Sequence, residues 1–516
     1  MTMAAGVSAG EIRAGRREWL GLAVIALPCL LYSMDLTVLN LAVPALSADL
    51  KPTSTELLWI VDIYGFLVAG LLIPMGTLGD RIGRRRLLLM GAAAFGVASV
   101  LAAFAASPRM LIAMRAVLGV AGATLAPSTL SLIRNMFHDP RERTLAIGVW
   151  ITSYSAGAAI GPPLGGILLQ EFWWGSVFLI GVPVMILLLV LGPVLLPEFR
   201  SPNTRWPDLP SAALSLTGVL LVIFGLKRLS AGGLEPLPVL CIATGLLVGA
   251  GFLRRQATLA DPLIDLDLFR QPAFSASLAT YMLGTFVAFG SFYFIAQYLQ
   301  LVLGLGPLAA GLWTTPFAAA FIVGSLVTPV IAHRVRPGYL MAAGLAIAAL
   351  GFAVLTQVGV AQGPAGLVVA FVIYSLGLAP VFTLATDLIV GSAPPERAGA
   401  AAAISETSSE FGGALGIAAL GSIGTAVYRS AMGAADLHAL PPEAAESARN
   451  TLGGAVASVA ALPAPLRSDV LRVARSAFAE ALELTAVISA VIVVGGAVLA
   501  LVLLRRAGAA GHAHGG

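Results

Sequence analysis

Apolar stretches of about 20 residues recur along almost the whole chain. They lie near 19–44, 56–79, 87–106, 109–133, 145–169, 175–196, 210–228, 236–253, 273–302, 308–331, 338–358, 364–390, 399–427 and 484–504. A segment of that length crosses the hydrocarbon of a bilayer as a helix. Fourteen of them in 516 residues exclude a soluble core, which stops growing well below this size. Charged residues make up 11% of the sequence, against roughly 25% in soluble domains, and mean hydropathy is +0.93. Leu, Ala, Val and Gly dominate, so the spans read as helices rather than the aromatic-girdled strands of a barrel. The chain is an all-α polytopic membrane protein. Its first run is about 24 residues long, has no small-residue cleavage pattern behind it and contains Asp35, so it reads as a retained span. Cys29 and Cys241 both lie in apolar runs and read as small hydrophobes without a disulfide.

Charge sets the orientation. With the N-terminus inside, 20 of the 30 basic residues fall on the inner side. Short outer loops hold only Lys51, Arg109, Lys227 and Arg228. The positive-inside rule therefore puts both termini in the cytoplasm. The pI of about 9.3 comes from these loop arginines and does not indicate nucleic acid. Arginine far outnumbers the two lysines, and Ala and Gly abound; this bias hints at a high-GC bacterial genome and hence a bacterial cytoplasmic membrane. GDRIGRRRLLL at 79–89 follows the second span, and a degenerate echo, AHRVRPGYLM at 332–341, follows the tenth. If spans seven and eight are an inserted pair, the architecture is six plus two plus six. Residues 1–200 then form one six-helix bundle, 201–256 the inserted pair, and 257–516 a second bundle with a long outer loop at 428–483. Within that loop 466–482 reads as an amphipathic helix; the loop is expected to be an inert cap, with a gate over the exit as the minority reading. The GHAHGG tail is expected to hold no metal.

Six stretches carry more than hydropathy. In chain order they are MDLTVLNLAVPALSADL (34–50), GTLGDRIGRRRLLL (76–89), LIAMRAVLGVAGA (111–123), SYSAGAAIGPPLGG (153–166), WGSVFLIGVPV (174–184) and IAQYLQLVLGLGPLAAGL (295–312). Together they resemble the major facilitator superfamily and, within it, the fourteen-helix drug:proton antiporters. The resemblance implies two six-helix bundles that rock about a central site. It also implies proton-coupled efflux of lipophilic, mostly cationic drugs and dyes, without a cofactor, by a monomer. Gly76, Asp80 and Arg84, with Arg81 beside them, match the motif that holds the two halves together on the inner side when the outer side is open. SYSAGAAIGPPLGG matches a motif associated with exchange rather than symport. Its residues also have a physical reading. Gly157, Gly161 and Gly165 repeat every fourth position, with Gly166 next to them, and present a face bare of side chains that a neighbouring helix can approach to backbone contact. Pro162 and Pro163 remove two donors and bend the helix. Such a seam serves packing, rocking or both.

Ionisable residues at membrane depth narrow the function further. Asp35, Asp62, Arg115, Glu406 and Glu410 all fall within apolar spans. Each costs roughly 2.5–3.5 kcal/mol at the bilayer centre, on the order of 12–18 kcal/mol for five if they faced lipid. They must face the interior or one another, and Glu406 and Glu410, four apart, share a helix face. One arginine cannot neutralise four carboxylates. A carboxyl in an apolar cavity takes up a proton readily and can serve in turn as counter-ion to a cation, and that competition is itself an exchange mechanism. Asp35, by depth and by the resemblance, is expected to couple protons, with Arg115 tuning a nearby acid. Asp62, beside Trp59 and Tyr64, is expected to share in proton coupling and to attract passing cations; Glu406, then Glu410, to pair with substrate. Tyr32, Trp59, Tyr154, Tyr293 and Trp313 are candidate cation–π surfaces.

Other classes lack their signatures. Neither lysine sits in the GxxxxGK segment of a nucleotide-driven pump; HExxH is missing, and no span contains His. The alternatives left are a dedicated exporter of one endogenous antibiotic, lipid or metabolite, and a non-transporting sensor or scaffold.

Overall fold

In lipid no water is present to satisfy backbone N–H and C=O groups, so an apolar span must satisfy them within its own helix. The computed structural model describes residues 13–504 apart from 201–207, 233–234, 260–261, 265, 333, 359–362, 393–397, 438–439 and 460–462, and every regular element in it is helical. The two chain ends and the GHAHGG tail lie outside the described residues. The first half of the chain holds α1 (Arg16–Leu50), α2 (Ser54–Ile82), α3 (Arg84–Ala103), α4 (Pro108–Gly122), α5 (Leu125–Met136), α6 (Pro140–Glu171), α7 (Ser176–Leu179) and α8 (Gly181–Leu195). A hairpin of α9 (Leu209–Gly232) and α10 (Pro236–Thr258) follows. Then come α11 (Pro272–Gln297), α12 (Pro307–Ala332), α13 (Pro337–Leu355), α14 (Pro364–Gly391), α15 (Ala398–Gly433), α16 (Pro442–Asn450), α17 (Leu452–Ser458) and α18 (Ala464–Leu503). Many of these helices begin with proline, whose missing N–H has no helical partner in the first turn anyway.

Among the described residues thirteen helices are long and apolar enough to cross a membrane. The 32-residue α6 takes the place of the fifth expected span. Three windows depart from simple spans. The span at 109–133 is broken between α4 and α5, where Thr124 turns its hydroxyl onto the Ala121 carbonyl at 2.7 Å and Pro127 offers no N–H to residue 123. The span at 273–302 ends in a π-helical turn, Tyr298–Val302. The outer segment at 428–483 is mostly helix, not loop. The amphipathic stretch at 466–482 continues into the last span as one 40-residue helix, about 60 Å long, because no glycine or proline interrupts 466–494.

In the first half α1 packs on α6, and α3 on α4 and α8; in the second α11 packs on α15, and α13 on α14 and α18. The two groups meet along α6–α12 and α2–α15. The hairpin leans on that second seam through α9, which touches both α2 and α15. Its α10 packs on α9 and exposes Leu240, Leu246 and Leu247 on its outer face. The end of the bundle that carries 428–483 is closed by α16 and α17: α17 reaches α1 at Ser47 through Gly453, and Arg429 joins Asn450 and lies 3.5 Å from Ser54.

The bare face of α6 meets both backbone and side chains of its neighbours. A Cβ on Gly157 would strike the Leu30 carbonyl, and one on Gly161 or Gly165 would strike Thr37 or Val38, all on α1. Gly166 turns the other way, where a Cβ would lie 2.7 Å from Leu308 Cα on α12. One glycine-rich helix thus fits closely against both halves. Gly157→Ala is expected to cost about 1–3 kcal/mol of stability, because backbone cannot give way. Gly249→Ala, with open space around it, is expected to leave the thermal melt of the purified protein unchanged.

Candidate functional site

Arg115 of α4 is 1% exposed, and its charge is met from several sides. It is ion-paired with Asp35 of α1. Its Nε donates to the Ile60 carbonyl at 3.1 Å, and its Nη2 lies 3.5 Å from the Val61 carbonyl, both on α2. The guanidinium lies 4.7 Å from the Tyr64 ring centre and 5.9 Å from that of Phe178. Gly119, one turn along α4, allows this approach, since a Cβ there would lie 2.8 Å from the Tyr64 carbonyl. Asp35 keeps one side on a narrow crevice lined by Phe95, Ser99 and Phe178.

Asp62 does not stand open to passing cations. Lys227 of α9 donates to its Oδ1 at 2.7 Å, both side chains are fully buried, and the ammonium sits 3.8 Å from the Trp59 ring centre. Lys227 is therefore not an outer-loop residue, and Arg115 is not the sole buried cation. The four-residue spacing of Val219, Ile223 and Lys227 on α9 is the signal that places the lysine on the packed face. A short apolar span tolerates a lysine near its end, so charge counting alone assigns it to the loop.

Glu406 and Glu410 lie on α15 toward the first half. Glu410 lines a small cavity with Asp62, Gly65, Phe289 and Ser409, and Tyr32 of α1 stands beside it. Tyr32 packs on Tyr64 and Tyr154 at 6.0 and 5.8 Å between ring centres.

Phe289 and Ser409 are shared with a much larger cavity of about 320 Å³. It lies between α1 and α6 on one side and α11, α12, α14 and α15 on the other, and its wall is aromatic: Tyr154, Tyr281, Phe292, Phe317, Phe321 and Phe382. The large cavity takes in Tyr154 but not every expected aromatic. Trp59 covers Lys227 instead. Tyr293 lines a separate small crevice near Asn450, and Trp313 is 38% exposed and outside the cavity wall. Tyr281, Phe317, Phe321 and Phe382 escape sequence reading because aromatic spacing on an apolar helix does not distinguish a cavity face from a lipid face.

At the other end Arg84 pairs with Asp80 at 2.6 Å and donates to the Pro127 carbonyl at 3.2 Å, and Gly76 packs near Pro127. Arg85 reaches the Pro193 and Leu196 carbonyls. These contacts of Asp80 and Arg84 stay inside the first half, joining α2, α3 and α5, rather than bridging the halves. Gly83, at φ 115°, makes the turn between α2 and α3, where a Cβ would collide with Glu198.

The model of the Major Facilitator Superfamily matches residues 25–417. The chain is 45% identical over 495 residues to the multidrug efflux pump LfrA of Mycolicibacterium smegmatis, covering 96% of this chain and 98% of that one. It is 35% identical over 469 residues to the methyl viologen resistance protein SmvA of Salmonella typhimurium, covering 90% and 93%. Its fold is similar to that of a bacterial homologue of the human lysosomal transporter Spinster in an inward-facing, unoccupied conformation. The TM-score is 0.68 at 18% identity, over 95% of this chain and 98% of the other.

Removing one member of the Asp35–Arg115 pair leaves a buried charge alone. Asp35→Asn and Arg115→Met are each expected to cost about 3–5 kcal/mol. The double variant is expected to cost clearly less than their sum, measured as a double-mutant cycle on the melt of the purified protein.

Proposed function

The chain belongs to the Major Facilitator Superfamily, and on that premise we propose that it exports lipophilic, mostly cationic drugs and dyes in exchange for protons. The observation that carries this reading is the aromatic cavity of about 320 Å³ at the junction of the halves, with Glu410 in the small cavity that shares its Phe289 and Ser409 wall. Flat apolar bodies gain from such a wall by burial and stacking, and a cationic centre gains from the rings and from Glu410 nearby. Among the described residues its polar lining is hydroxyls alone, with no charged or amide side chain, and those of Thr37, Thr314 and Thr315 are spent on the Met34 and Gly311 carbonyls. A dedicated exporter would use free directional polar groups to select one compound; their scarcity favours a broad range. Several buried carboxylates on separate helices are more than a sensor or scaffold needs.

In this reading residues 1–200 and 257–516 are the rocking halves, 201–256 rides between them, and both termini lie in the cytoplasm of a bacterium whose inner membrane holds the protein as a monomer. Asp35 carries the exchanged proton, with Arg115 as the competing cation beside it. Glu406 and Glu410 meet the substrate. The closed outer side and the Asp80–Arg84 pair held within one half suit a cavity loaded from the cytoplasm. The seam of Gly157, Gly161, Pro162, Pro163, Gly165 and Gly166 lets the halves move without leaking. Alternating access follows when proton and cation compete for the same carboxylates.

Purified protein in liposomes with an internal pH dye tests this. On adding ethidium or a quaternary ammonium compound across a pH gradient, proton flux is expected in the unaltered protein. It is expected to vanish in Asp35→Asn while ethidium binding persists. No flux with any lipophilic cation overturns the proposal.

A further inference from the structure

The seam that α9 makes with α2 and α15 is centred on an apolar cluster. Ile223 of α9 packs with Phe66 of α2 and with Ala414 and Ala418 of α15 into a buried cluster. One turn further along the same face stands Lys227. Hydrophobic contact would hold α9 here without the desolvation that a buried ion pair suffers, so anchoring alone does not account for a charge at this position. The carboxylate it meets is only half used. Lys227 occupies Oδ1 of Asp62, whereas Oδ2 is buried and accepts no hydrogen bond among the described residues. Asp62 also lines the small cavity whose other carboxylate is Glu410 and whose wall is shared with the large aromatic cavity.

We infer that Lys227 is a specificity-determining residue. By cancelling Asp62 it leaves the cavity shared by Asp62 and Glu410 with the charge of one carboxylate, and so sets how many positive charges a transported cation can place there. The inserted hairpin thereby supplies the site with a tethered cation, and a substrate with one cationic centre is matched. A second centre is resisted by the ammonium of Lys227. Glu406, one turn along α15, is the same in every variant compared below. The inference rests on the proposed export of cations.

The test compares a singly charged probe, ethidium, with a doubly charged one, methyl viologen, in liposomes containing the full-length protein. The quantity read is the ratio of kcat/KM for dication over monocation. Lys227→Met is expected to raise that ratio about tenfold or more by releasing Asp62. Asp62→Asn/Lys227→Met restores the original net charge and is expected to bring the ratio back to within about threefold of the unaltered protein. A merely structural role for the pair slows both probes together in Lys227→Met and leaves the ratio unmoved. A ratio unmoved in Lys227→Met, or still raised in the double variant, overturns the inference. If Lys227→Met does not fold, Asp62→Asn reads the same effect in reverse: the ratio is expected to fall about tenfold, and an unchanged ratio overturns it. If the unaltered protein moves neither probe, the export reading fails and this one with it. If it moves ethidium and the ratios do not respond, only this inference fails.

Discussion

The guanidinium of Arg115 sits out of reach of water, and the arrangement of α1, α2, α4 and α7 follows from the need to satisfy it. A lone charge at this depth would be expelled or would prevent the helices from assembling. Asp35 brings α1 to it, the carbonyls of Ile60 and Val61 bring α2, and the rings of Tyr64 and Phe178 close the remaining sides. The glycine that faces this point on α4 allows the backbones to come close enough. Three helices of the first half, α1, α2 and α4, therefore meet at a charge rather than at an apolar ridge. Any proton or cation that changes the state of Asp35 acts on the packing of three helices at once.

Around that fixed centre the bundle is built for close approach. Small residues on α6 fit against α1 and α12, Gly412 and Gly416 of α15 fit against α11, and Gly344 and Gly377 fit α13 against α14. In a bilayer no hydrophobic force pulls helix to helix, so contact area and backbone proximity do the holding. The same smooth contacts offer little resistance to sliding. Tight fit and relative motion of the halves are thus compatible, because neither needs interlocked side chains.

The inserted hairpin illustrates how a tertiary contact changes the meaning of a residue. As a sequence feature Lys227 is one basic residue near the end of a span. In the fold it is a buried cation on the seam between α2 and α15, capped by Trp59 and bound to Asp62. The four carboxylates counted against one arginine are therefore counted against two cations. Asp62 is set apart from Glu406 and Glu410 by its partner, not by its depth.

Hydropathy and charge by themselves determined the helical class, the order of the spans and the motif helices, because a bilayer rewards apolar length and penalises charge residue by residue. The need for partners at Asp35, Arg115, Glu406 and Glu410 was legible for the same reason. Which partner each one finds was not: Asp62 and Lys227 are 165 positions apart, and only the lean of α9 across two helices brings them together. The aromatic cavity likewise depends on which face of α11, α12 and α14 turns inward, and in a chain whose every face is apolar the pattern carries no such mark. The join of 466–482 to the last span is settled between these levels. Local residues permit a continuous helix, and packing against α13, α11 and α15 holds it as one.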